Sequence, residues 1–151
     1  MKYFALKAES AGDFGINTKF AKPPSKPPQV QHLHYVLDVW PVDELLGTAG
    51  VYIVSESMGK RLQSLTIPVS GVSFEAVEVT TSERFNSWHS DSALSTYKDI
   101  SLLPRYVWLN VNGKAGIDDF GIDKERLVVS IRVYTAMRMH RLSNCKVVDF
   151  D

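Results

Sequence analysis

His32 and His34 stand two residues apart in the run VQHLHYVLDVW, whose apolar alternation predicts a β-strand. Residues i and i+2 of a strand share a face, so the two imidazoles are expected on one side. A nearby carboxylate such as Asp38 would complete the three ligands a zinc ion needs. No further ligand follows at a metal-binding spacing, so two histidines on a half-exposed strand is the simpler reading, and no metal is expected. Trp88, His89, Ser90 and Asp91 put a base, a hydroxyl and a carboxylate side by side. Catalytic relays are assembled from separate elements around a rigid pocket, and no Gly-x-Ser-x-Gly elbow holds a serine here. A surface loop with an aromatic anchor accounts better for this stretch. Cys145 with His140 suggests a thiol nucleophile, but a cysteine opening the last strand more often packs in a core. Asp118, Asp119 and Asp123 miss the spacing of an EF-hand loop, and GTAGVY lacks the lysine of a phosphate-binding loop. The catalytic inventory is empty: no cofactor is expected, and the chain reads as a non-enzyme. The rival is a small metal-dependent or hydrolytic enzyme using His32, His34 or His89.

The elements that would position these residues contain a repeat. GVYIVSESMGKRLQSL and RLVVSIRVYTAMRMHRL both run from β-favouring residues into Val-Ser and then into a helical pattern. Ser55 and Ser130 lie 75 positions apart (130 − 55). In the same frame, Met58, Leu62 and Leu65 correspond to Val133, Met137 and His140, the stripe of an amphipathic helix. Each serine stands where a helix N-cap belongs. A strand follows each helix, VSFEAVEV or CKVVDF, and such crossovers favour parallel pairing within one sheet. The expected fold is α+β, one domain over 1–151, with a mixed β-sheet and two strand–helix–strand units related by a degenerate internal repeat.

Elsewhere MKYFALKA predicts an N-terminal strand, whose exposed edge could pair two copies as a homodimer. Pro23, Pro24, Pro27 and Pro28 make residues 23–28 an extended polyproline-like loop, a possible ligand for a proline-binding partner. PVDELLG reads as a short helical turn, with proline near its start and Gly47 after it. The polar stretch TTSERFNSWHSDSALSTYKDI shows no clean period beyond a broken helix near Ala93 to Tyr97. Tyr106 to Val111 reads as a strand closed by the Asn112-Gly113 turn, with Trp108 in the core.

Composition bounds the function. With 17 Lys+Arg against 17 Asp+Glu the chain has no net field, which argues against generic nucleic-acid binding. A single cysteine excludes an intrachain disulfide. Lys7 and Glu9 interrupt any signal-peptide core, and no apolar run approaches the roughly 20 residues that cross a bilayer. A cytoplasmic location and no membrane partner are the default expectations.

Taken together, GVYIVSESMGKRLQSL, GVSFEAVEV, YVWLNV and LVVSIRVYTAMRM resemble the immunity protein 11 family, first catalogued as a domain of unknown function. Val54, Ser55, Glu56, Gly71, Phe74, Val77, Leu109, Asn110, Val129 and Ser130 carry the resemblance, with Asp38, Trp40, Asp43 and Leu45 ahead of them. Ile131 departs from it, standing where the second copy often has glutamate. The resemblance implies an antitoxin of bacterial competition that neutralises a cognate toxin or secretion-system effector by direct binding, without catalysis. Such an inhibitor needs a preformed surface of about 800 Å² with a few large anchors. Trp88, Trp40, Tyr97 and Phe85 are the candidate anchors, with His89 and Asp91 beside Trp88.

Overall fold

The structure is a computed structural model that describes residues 1–21, 25 and 28–151. Pro23, Pro24 and Pro27 of the expected polyproline-like loop lie outside the described residues. Among the described residues thirteen strands and three helices follow one another: β1 (Tyr3–Lys7), β2 (Gly12–Phe14), β3 (Lys19–Phe20), β4 (Val30–His32), β5 (His34–Leu37), β6 (Leu45–Thr48), β7 (Val51–Ser55), α1 (Glu56–Gln63), β8 (Val72–Glu75), β9 (Glu78–Thr81), α2 (Glu83–His89), β10 (Tyr106–Val111), β11 (Phe120–Asp123), β12 (Arg126–Ser130), α3 (Ile131–Met137) and β13 (Lys146–Phe150). A 3-10 turn, Ile100–Leu102, precedes β10. The α+β class expected from the sequence is the class observed.

The repeat exists in space. β6 and β11 are 75 positions apart, as are β7 and β12, and α1 and α3 follow them directly. The two units build two four-stranded antiparallel sheets with the same layout, β6-β7-β10-β8 and β11-β12-β1-β13. Direct parallel pairing across each helix does not occur. An antiparallel strand separates β7 from β8, and another separates β12 from β13, and in each case it comes from the other half of the chain. β10 completes the first unit's sheet with Tyr106 opposite Ser55, while β1 completes the second unit's sheet with Tyr3 opposite Ser130. The halves are interlocked by this exchange, much as two protomers are in a domain swap. β1 is therefore an interior strand, and the N-terminal edge expected to pair two copies does not exist; the edges of that sheet are β11 and β13.

The main core lies between the two sheets. Val54, Met58 and Leu62 of the first unit pack there with Val129, Val133 and Met137 of the second, joined by Leu6 and Leu109 from the exchanged strands. β7 is buried at all five positions because its other face is covered as well, so VYIVS shows no polar alternation. That covering layer has no counterpart in the second unit. It consists of a three-stranded sheet, β2-β5-β9, whose β5–β9 pair is parallel, together with α2. Leu33, Tyr35, Leu37 and Phe85 close it over Leu46, Ile53 and Trp108, which places Trp108 in the core as expected. On the second unit chain 114–118 packs on the matching face, with the Tyr3 hydroxyl donating to the Ile117 carbonyl at 2.9 Å. The backbone sits so close that a Cβ on Gly121 would lie 2.3 Å from the Ala115 nitrogen.

Three local expectations are corrected. PVDELLG holds no helix: Leu45 and Leu46 are both buried in β6, and pairing with β7 prevails over the short helical pattern. VQHLHYVL is two strands, with Leu33 between them. The helix of the polar stretch is Glu83–His89, with turns over 92–96. Its N-cap is Ser82, whose hydroxyl accepts from the Phe85 amide at 3.2 Å.

Candidate functional site

Five large apolar side chains reach solvent within residues 88–102: Trp88 (54% exposed), Leu94, Tyr97, Ile100 and Leu102. All belong to the single-copy layer. Helix α2 positions the first of them through a built support. Phe85, its one buried residue, stacks on Trp40 with centroids 5.6 Å apart and planes at 20°. The His89 ring meets Phe85 at 4.8 Å and Trp40 at 5.5 Å, edge-on to both, and the Lys98 ammonium lies 5.1 Å above the Trp40 ring. The chain after α2 folds back onto the helix end. His89 Nδ1 lies 2.8 Å from the Thr96 carbonyl oxygen, the Lys98 amide donates to the His89 carbonyl at 3.1 Å, and the Thr96 hydroxyl donates to the Trp88 carbonyl. Asp91 Oδ1 accepts from the Ala93 amide at 2.9 Å and fixes the turn between them.

The candidate anchors therefore divide by depth. Trp88 and Tyr97 are exposed, Trp40 is half-buried, and Phe85 is 1% exposed. Phe85 is too deep to serve as a protruding anchor; it holds Trp40 and His89 in place. Beside His89 a cleft of about 150 Å³ opens between α2 and the returning chain, lined by Phe85, Asn86, His89, Ser90, Tyr97, Lys98, Asp99 and Ile100.

The residues weighed for chemistry are not brought together. His34 is buried, with Nδ1 accepting from the Asn17 amide at 3.2 Å and Nε2 2.7 Å from the Thr80 hydroxyl. His32 is exposed and lies 3.4 Å from Glu78. Hydrogen bonds from Asn17 and His32 hold the Glu78 carboxyl below its ordinary range. Among the described residues, no three His, Cys, Asp or Glu side chains are grouped to hold a metal ion. The Ser90 hydroxyl donates to the Asn86 carbonyl rather than to His89. Burial, followed by the charge of Asp43, pushes the Cys145 thiol up to about 11, and His140 faces Glu44 instead. Asp118 accepts from the Lys114 amide, Asp123 pairs with Arg126, and Asp119 pairs with Arg132, so the three carboxylates serve separate contacts.

One pair of polar sites escaped the reading of the sequence. Ser55 donates to Glu44 at 2.6 Å and Ser130 donates to Asp119 at 2.7 Å, the members of each pair lying 11 positions apart. The signal was present, since Glu44 and Asp119 obey the same 75-residue offset as the serines. Among the described residues no helix is long and apolar enough to cross a membrane. No known protein-family model matches the chain, and no curated protein matches it either.

Proposed function

We propose that this chain is an immunity protein that neutralises one cognate bacterial toxin by covering it, with no turnover of its own. One observation carries the binding part of this reading: a run of exposed rings and aliphatic side chains, Trp88 to Leu102, mounted on a rigid aromatic layer. Apolar groups clustered in this way mark interaction surfaces more often than they decorate a solvated face. Trp88 and Tyr97 have the chemistry of binding hot spots, being large, stiff and amphipathic. The unit repeated in the fold supplies the scaffold, and the recognition surface belongs to the layer present once. That the partner is a toxin rests on the resemblance carried by Val54-Ser55-Glu56, Gly71, Phe74 and Val129-Ser130.

Co-expression provides the test. The product of the open reading frame beside this gene should arrest growth when expressed alone, and this chain should restore growth. Trp88→Ala and Tyr97→Ala together should abolish the rescue without lowering the amount of folded protein. Full rescue by the double variant would remove this surface from the reading, and no rescue by the wild type would remove the reading itself.

A further inference from the structure

We propose that the cleft beside His89 is a socket for a single aromatic side chain that carries a hydrogen-bond donor, a tyrosine or tryptophan of the partner protein. The inference deepens the inhibitor reading and rests on it for the identity of the partner, though the socket itself can be tested without one.

Size comes first. A cleft of about 150 Å³ matches the volume of a cavity that admits one benzene ring, and it is too small for a folded element. Its apolar walls are Phe85, Tyr97 and Ile100. Phe85 is locked by its stack on Trp40, so that wall is preformed.

Hydrogen bonding then selects among rings. A carbonyl oxygen can only accept, so the 2.8 Å contact with Thr96 places the imidazole proton on Nδ1 of His89. In the neutral ring, Nε2 is left as an acceptor, and it has no partner among the described residues. Of the other polar groups at the cleft, the Ser90 hydroxyl is engaged with the Asn86 carbonyl, Asn86 Oδ1 accepts from the Thr81 hydroxyl, and Asp99 holds the amide and hydroxyl of Ser101. A purely apolar ring entering the cleft would strip water from Nε2 and offer nothing in exchange. A phenol or an indole fills the same space and donates to it. A cationic occupant would meet the Lys98 ammonium beside the cleft, and an anionic one would meet Asp99.

The experiment uses the full chain and two fluorinated probes, 4-fluorophenol and fluorobenzene, which differ in the donor. Each is titrated while the ¹⁵N resonances of the backbone and of the His89 ring are followed by NMR. The socket predicts that 4-fluorophenol shifts the signals of His89, Tyr97 and Ile100, moves the Nε2 resonance, and binds at least five-fold tighter than fluorobenzene. In His89→Phe, which keeps a ring and removes the acceptor, that preference should disappear. Equal binding of the two probes to the wild type, or shifts that do not map to the cleft, would overturn the proposal whether or not the variant folds. A socket that behaves as expected in a chain that fails to rescue cells would dismiss the antitoxin reading alone.

Discussion

Ser130 donates its hydroxyl proton to Asp119 at 2.7 Å, and the backbone N–H of the same serine donates to the carbonyl of the same aspartate at 2.9 Å. Ser55 and Glu44 make the same two-point clamp in the first unit, at 2.6 and 2.8 Å. Each clamp ties the end of a buried strand to the residue just before its hairpin partner. The two differ in what balances the carboxylate. Arg132 grips Asp119 through Nε at 3.0 Å and Nη2 at 2.8 Å, whereas Glu44 accepts from the Arg141 amide and faces His140 at 3.1 Å.

Removing Asp119 should be costly. Its side chain is 10% exposed, and its loss would strand the Arg132 guanidinium, the Ser130 hydroxyl and the Ser70 amide. Asp119→Ala is expected to lower the unfolding free energy by about 3 kcal/mol in urea titrations.

The same residue sets an acid limb. Burial opposes its ionisation, but bonds from Arg132 and Ser130 outweigh that and hold the carboxyl down to about 2, from an ordinary 3.8. The folded state therefore binds this proton more weakly than the unfolded state. Its contribution, about 2 kcal/mol, is complete above pH 4 and is lost as pH falls toward 2. Stability curves of Asp119→Asn should lack this part of the acid limb.

The two serines should respond differently to substitution. Ser55 also caps α1, accepting from the Met58 amide at 3.1 Å, while Ser130 makes no cap bond. Ser55→Ala thus loses a cap and a carboxylate donor, with an expected cost of about 2 kcal/mol; Ser130→Ala loses the donor alone, at about 1 kcal/mol. Equal losses in chemical denaturation would contradict this assignment.

Cys145 should be sluggish. A thiol raised to about 11 holds roughly a hundredth of the thiolate of an ordinary one near 9.0 at neutral pH. Its reaction with a disulfide reagent at pH 8 should be about a hundredfold slower in the native protein than in urea.

Depth predicts how the aromatic layer divides. Phe85→Ala should destabilise the fold by about 3 to 5 kcal/mol, and Trp88→Ala by about 0.5 kcal/mol or less. Thermal unfolding of the two variants separates support from surface.

The sequence showed the units and hid how they assemble. A 75-residue frame is visible because helix stripes and serine caps are local patterns, and β7, β12, α1 and α3 follow from them. Strand exchange is not local. Nothing in YVWLNV or YFALK states that each joins the other half, because any β-favouring run can fill the vacant place between β7 and β8. Helix α2 buries only Phe85, so it leaves no apolar stripe to read, and its signal was reduced to Ser82 and Glu83. Trp88 was legible as an exposed ring in a polar stretch. Phe85 and Trp40 were not legible as its support, since only the fold brings residue 40 to residue 85.

Calorimetric titration of the purified product of the neighbouring open reading frame, the proposed toxin, into the wild type and into Trp88→Ala tests the central claim most directly. The expected result is saturable binding by the wild type and affinity weaker by at least about 30-fold, or 2 kcal/mol, in the variant, with its melting temperature preserved. No heat of binding to the wild type, or an unchanged affinity in the variant, would contradict it.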